Sequence, residues 1–220
     1  MRTRPLRRYA VAALVVAGLV TATGCGPDVH PGRAAVVEGT DISLADADQF
    51  ADDFCTLNVP ALQQSDLRLS MSTVRAVALD LLVNDELLHQ YAEENGLEES
   101  KQYKQTVAGL EAQAAQSKIP AESVDTYVKV LTARAYAEFV YGTAGQEKVQ
   151  QWVDDADVTI DPRFGTLDKD GNVVAPDSGL SVPVSSLAKL GSALPPLTSS
   201  TGEKPDTTYA DKLPASQRCG

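Results

Sequence analysis

Val74-Arg75-Ala76-Val77-Ala78-Leu79-Asp80-Leu81-Leu82-Val83 is the stretch whose reading decides the fold. A run this apolar is either a strand covered on both faces or a helix covered on several sides. The continuation Asn84-Asp85-Glu86-Leu87-Leu88-His89-Gln90-Tyr91-Ala92-Glu93-Glu94 decides between them, because it is polar, helix-forming and too long for a strand. One helix is predicted over residues 72–95, capped by Ser72 and stopped at Gly96. A helix apolar almost all round needs neighbours on several sides.

The flanking sequence supplies them. Downstream, a helix over 99–117 puts Tyr103, Val107, Leu110 and Ala114 on one face. Ile119-Pro120 breaks the chain, and Pro120 with Glu122 suits a new helix start. Val124, Val128, Leu131, Ala135 and Phe139 form its stripe, and 146–154 reads as a short helix carrying Val149, Trp152 and Val153. Upstream, Ala34-Ala35-Val36-Val37 reads as a strand and Glu38-Gly39-Thr40 as a turn. Ser43 and Asp46 resemble a capping box ahead of the stripe Leu44, Ala47, Phe50, Phe54 and Leu57, with Pro60 following the end of that helix. Val158-Thr159-Ile160 reads as a returning strand. A hairpin extension is assigned to 166–182 around Asp170-Gly171, and 183–220, rich in Ser, Pro, Thr and Gly, is read as an extended or disordered tail. The fold class expected is mainly α, with a small β element pairing an N-terminal strand with a returning C-terminal one.

The N-terminus carries the strongest local signal. Arg2, Arg4, Arg7 and Arg8 precede an apolar run over residues 9–20, and then comes Thr21-Ala22-Thr23-Gly24-Cys25. Residues 1–24 read as an export signal, and the last five residues resemble the lipobox of bacterial lipoproteins. The run is short for a spanning helix. The resemblance implies cleavage before Cys25, lipidation of Cys25 and a place on the outer face of the cell membrane, with 25–33 as a lipidated tether. Outside the membrane Cys55 and Cys219 can hold a disulfide; the alternative is two unpaired thiols. Neither forms a C-x-x-C pair.

Beyond residue 24 the chain has 15 basic and 30 acidic side chains, a formal charge of −15. Nucleic-acid binding is not expected of such a chain, nor is electrostatic attachment to anionic lipid. Two histidines, His30 and His89, are too few for the usual hydrolytic or metal constellations, and no G-x-S-x-G, H-E-x-x-H or P-loop occurs. Asp168-Lys169-Asp170-Gly171-Asn172 has a calcium-loop flavour, but Thr166 stands where the first carboxylate belongs, so a plain Asp-Gly turn is the better reading. No enzyme activity, metal or cofactor is expected.

The order strand, amphipathic helices, returning strand resembles the N-terminal chaperone domain of the SurA/PrsA type of extracytoplasmic foldases, related in shape to the arm of trigger factor. The likeness rests on residues 35–43, on residues 81–97, and on Val158-Thr159-Ile160-Asp161-Pro162-Arg163-Phe164-Gly165, and covers about 34–165. Glu38 stands where Asn is usual, and Val83 near where Ile is usual. No stretch has room for the parvulin prolyl-isomerase domain of the full foldases. The resemblance implies a small actinobacterial-type lipoprotein acting as an ATP-independent holdase for unfolded secreted or envelope polypeptides, without isomerase activity. Tyr103, Tyr127, Tyr136 and Phe139 are the candidate peptide-binding residues, with core packing as the competing role for each. A structural or adaptor lipoprotein with one dedicated partner is the alternative; a small-molecule carrier would need an enclosed pocket.

Overall fold

The computed structural model describes residues 31–169, 171–175 and 208–220. The signal segment 1–24, Cys25 with the tether up to residue 30, Asp170, and residues 176–207 lie outside the described residues.

Helix α2 (Met71–Glu94) is 24 residues long, or about 36 Å at 1.5 Å per residue. Its eleven buried side chains, among them Val74, Ala78, Leu79, Leu82, Val83, Leu87 and Tyr91, face several directions, as the apolar run requires. The cap is Ser70 rather than Ser72. Ser70 belongs to strand β3 (Leu69–Ser70), which holds it extended, and its Oγ accepts the Thr73 N–H at 3.2 Å. Ser72 instead places its hydroxyl 2.8 Å from that of Ser70. At the other end Gly96 takes φ 62°, and the N–H groups of Leu97 and Gly96 reach back to the carbonyls of Ala92 and Glu93. This Schellman closure satisfies two carbonyls the helix leaves over.

Helix α1 (Leu44–Gln64) starts at Ser43, whose Oγ accepts the Asp46 N–H at 3.1 Å. The helix does not end at Pro60 but passes through it. Proline removes one ladder donor. On either side of it Val59 and Leu62 pack on the main core, and Cys55 is covalently bound, which holds the last turn in place. The end is closed by Asp66 at φ 50° and by the Leu67 N–H on the Leu62 carbonyl.

Helix α3 (Lys101–Gln116) is capped by Ser100. A 3-10 turn (Ala121–Ser123) leads into α4 (Val124–Ala144). The Asp53 carboxylate on α1 accepts the hydroxyls of Ser123 at 3.2 Å and Thr126 at 2.9 Å, which fixes the start of α4 against α1. Gly145, at φ 90°, turns the chain into α5 (Gln146–Asp155).

Strands β1 (Arg33–Val37), β2 (Thr40–Ser43) and β4 (Val158–Ile160) form an antiparallel sheet in the order β2-β1-β4. The returning strand thus pairs with the opening one, Val37 opposite Val158 and Ala35 opposite Ile160. The β1–β2 turn places both Glu38 (φ 47°) and Gly39 (φ 85°) at positive φ, a position that favours Asn over Glu. Glu38 is used because it reaches β4. Its N–H donates to the Asp157 carbonyl at 2.8 Å, and its Oε1 accepts the Asp157 N–H at 2.6 Å.

A second hairpin, β5 (Thr166–Leu167) with β6 (Val173–Val174), docks on α2 through the Val173 N–H on Asp80 Oδ1 at 2.8 Å. Its ladder runs to Val174, and residues 176–182 of the extension assigned from sequence lie outside the described residues. The end of the segment read as a loose tail is ordered instead. Helix α6 (Thr208–Asp211), a 3-10 turn (Ala215–Gln217) and strand β7 (Arg218–Cys219) fold back, β7 pairs with β3, and Cys219 is bonded to Cys55. A cross-link between residues 164 apart and a strand pairing are non-local ties that composition does not reveal.

The larger core cluster joins β1, α1, the first two-thirds of α2, Phe164 and Val173. A second joins Leu88, Tyr91 and Ala92 of α2 to Tyr136 and Val140 of α4 and Val149 of α5.

Two stability changes follow from this packing. Gly165 has φ 150°, and a Cβ there would stand 2.0 Å from the Val174 carbonyl oxygen. Gly165→Ala should lose about 2 kcal/mol or more in urea unfolding. Leu79→Ala, at a fully buried position, should lose about 2–5 kcal/mol in the same measurement.

Candidate functional site

The α3–α4 hairpin is seated on α2 by an aromatic nest. Tyr103 comes from α3, Tyr136 and Phe139 from α4, one turn apart, and His89 from α2. The His89 ring stacks on Tyr136 with centroids 3.9 Å apart and planes 17° apart. Tyr103 meets Tyr136 edge-on at 5.5 Å and stacks on Phe139 at 5.2 Å. Tyr136 is 5% exposed and braces the base of the hairpin. Tyr103 and Phe139 are half-buried.

Burial is the first cause that raises both phenols, with Glu99 and Asp85 adding to it; Tyr103 is pushed up to about 12. Both hydroxyls therefore stay protonated at physiological pH and can donate a hydrogen bond. Beneath them burial lifts the Asp85 carboxyl above its ordinary 3.8, against the pull of His89 and Lys129 and with a push from Glu86. The His89 Nε2 lies 3.7 Å from Asp85 Oδ1, an ion-pair distance when the imidazole is charged.

Beyond the nest the hairpin carries a second apolar row. Val107 and Leu110 lie one turn apart on α3. Val124, Tyr127, Val128 and Leu131 follow a spacing of three and four on α4 and share one face. All six are half-buried, and none belongs to either core cluster. Tyr127 therefore sits with this row and not in the nest, about 13 Å along the helix axis from Tyr136. Leu167, at 37%, is the one large apolar side chain classed as exposed among the described residues.

Other surfaces offer less. An open depression of about 610 Å³ runs along α5, lined by Gln146, Glu147, Gln150, Gln151 and Asp154. Its walls are polar, which does not suit an apolar ligand. Among the described residues no three His, Cys, Asp or Glu side chains converge as a metal site, and no helix is long and apolar enough to cross a membrane. Of the residues singled out from sequence, Tyr103, Tyr136 and Phe139 come together, Tyr127 stands apart, Cys55 and Cys219 are bridged, and Cys25 lies outside the described residues. His89 is a partly exposed residue of α2, as the sequence suggests, and one face of its ring is taken by Tyr136. The position of His89 four residues after Asp85 places the two on one face of α2, but nothing in the sequence signals the stacking on Tyr136.

No protein-family model, no curated protein and no solved structure matches this chain.

The raised Asp85 carboxyl fixes the sign of a pH effect. An acid whose folded pKa exceeds its unfolded value binds its proton more tightly when folded, so stability falls as pH rises from 3.8 through the folded value. Asp85→Asn should remove this part of the slope and raise the melting temperature at pH 7 relative to the parent, read from melting curves across a pH series.

Proposed function

We propose that this protein is a lipid-anchored extracytoplasmic binder of unfolded secreted or envelope polypeptides, acting as a holdase without ATP and without prolyl isomerase activity. In this reading Cys25 carries the lipid, and the domain is of the SurA N-terminal kind with the α3–α4 hairpin as its arm. The observation that carries the reading is the half-buried apolar row Val107, Leu110, Val124, Tyr127, Val128 and Leu131, which neither core cluster uses. Non-directional burial on such a row can hold many sequences weakly.

Charge supports the same face. Residues 101–144 carry five basic and four acidic side chains, whereas the rest of the chain after Cys25 carries ten and 26. The hairpin is thus near charge balance in a strongly acidic protein and repels an anionic polypeptide less than the remainder taken as a whole. The Cys55–Cys219 bridge suits an oxidising compartment outside the cytoplasm. The strand pairing of β1 with β4 agrees with the strand, helices, returning-strand order from which the likeness was drawn.

A second reading, an adaptor for one dedicated partner, is favoured by one observation. The row is half-buried rather than exposed, so its free apolar area is modest, and a good fit to one partner would use it better than many poor fits.

Aggregation of a reduced, unfolding model protein tests the first reading. The chain from Gly26 onward should suppress it in a dose-dependent manner without ATP, relative to an unrelated acidic protein. Val128→Asp with Leu131→Asp should abolish suppression; because both positions are half-buried, each change should cost about 0.5–3 kcal/mol, and a melting curve checks that the variant is still folded in the assay. No suppression by the folded parent would move the assignment to the dedicated adaptor.

A further inference from the structure

The C-terminal strap, residues 208–220, is held in an unusual way. Its strand β7 pairs with β3 over two residues, Leu69 with Cys219 and Ser70 with Arg218. Arg68 bonds Asp211 at 3.1 Å across partly exposed side chains. Ala210 and Leu213 are its buried apolar residues apart from Cys219. These are small ties for thirteen ordered residues, each of which loses conformational freedom on docking. The covalent bond from Cys219 to Cys55 does not depend on them. Leu62 lies against Gly220 and Leu69 pairs with Cys219, and the unpaired edge of β3 would appear if the strap left. Gly220 stands so near this floor that a Cβ on it would lie 2.8 Å from the Leu67 carbonyl oxygen and 3.2 Å from Leu62.

The two cysteine residues are not equally covered. Cys219 is 1% exposed, while Cys55 is half-buried on α1. An incoming thiolate therefore has its approach at Cys55.

We propose that the Cys55–Cys219 disulfide is a redox latch, opened by a dithiol donor of the thioredoxin-like class, and that its opening releases the strap and loosens the last turn of α1 and the cap of α2 that it braces, while the body of the helices and the three-stranded sheet stay folded. The donor thiolate attacks Cys55 Sγ, a mixed disulfide forms there, and Cys219 leaves as a thiolate. The donor's second thiol then attacks its own sulfur in the mixed disulfide and frees Cys55. The donor ends as a disulfide, and the protein gains two electrons and two protons as a pair of thiols. Release bares a strand edge and an apolar floor on the side of α1 that carries Cys55, a surface that sealed protein lacks. The inference does not rest on the holdase reading, since the latch can operate whatever the hairpin binds.

Hydrogen exchange read by mass spectrometry on the whole chain tests it, with the protein oxidised, reduced by dithiothreitol without denaturant, and reoxidised. The expected result is exchange at least tenfold faster in 208–220 and 67–70 after reduction, with α2 beyond its first turn, α4 and the three-stranded sheet unchanged, and recovery on reoxidation. Cys219→Ser should reproduce the reduced pattern. Any of three results would overturn the proposal: a bond that resists dithiothreitol in the native protein, a strap that stays protected once reduced, or loss of protection over the whole domain together.

Discussion

The burial of α2 on nearly every side is the constraint from which the rest follows. A helix with Val74, Ala78, Leu79, Leu82 and Val83 pointing several ways cannot lie on a surface. It must be wrapped, and each neighbour covers part of it. α1 and the sheet take the first two-thirds, and α4 and α5 take the last third through Leu88, Tyr91 and Ala92. Because one rigid rod crosses both clusters, the two packing units share a backbone and the hairpin is referenced to the sheet. The aromatic nest is the contact by which α3, which buries only Ala114 fully, is held at its base.

Closure of the sheet is the second constraint. The chain leaves β1 at Val37 and returns at Val158, so every helix from α1 to α5 is enclosed between two strands that pair. Glu38 illustrates the trade. A residue poorly suited to positive φ is kept at the turn because its carboxylate and N–H together fasten Asp157 at the mouth of the returning strand. Local conformational cost is accepted for a long-range tie.

How much of this was legible in the sequence depended on the range of the forces involved. The helices could be read because their stripes recur at three and four residues, and the opening and returning strands because short β-branched runs sit between turns. The start of α2 could not be read, since Ser70 is held extended by β3 and its partner β7, far along the chain. Pro60 misled for the same reason: packing of Val59 and Leu62 and the bond at Cys55 outweigh one missing ladder donor. The fold-back of residues 208–220 depends on a cross-link that the cysteine count suggested, tying the C-terminus to an early helix, and on the pairing of β7 with β3, which nothing local in the sequence signals. At the candidate site, Tyr103 and Phe139 stand on predicted stripes, while Tyr136 is on the predicted helix but off its stripe. The place of His89 could not be read, because a single imidazole on a polar helix face acquires meaning only when a tyrosine from another helix stacks on it.

The hairpin is the part of the molecule that core formation leaves unfinished. Its base is filled by aromatics, its far half keeps an apolar row half open, and its charge is near balance in an acidic chain. The most direct measurement of its role is site-specific photocrosslinking to an unfolding client, with the photoreactive residue at Leu131 on the row and, in a separate protein, at Gln150 on the polar face of α5. The account predicts client adducts from Leu131 and none from Gln150. Equal adducts from both positions, or adducts from Gln150 alone, would contradict it.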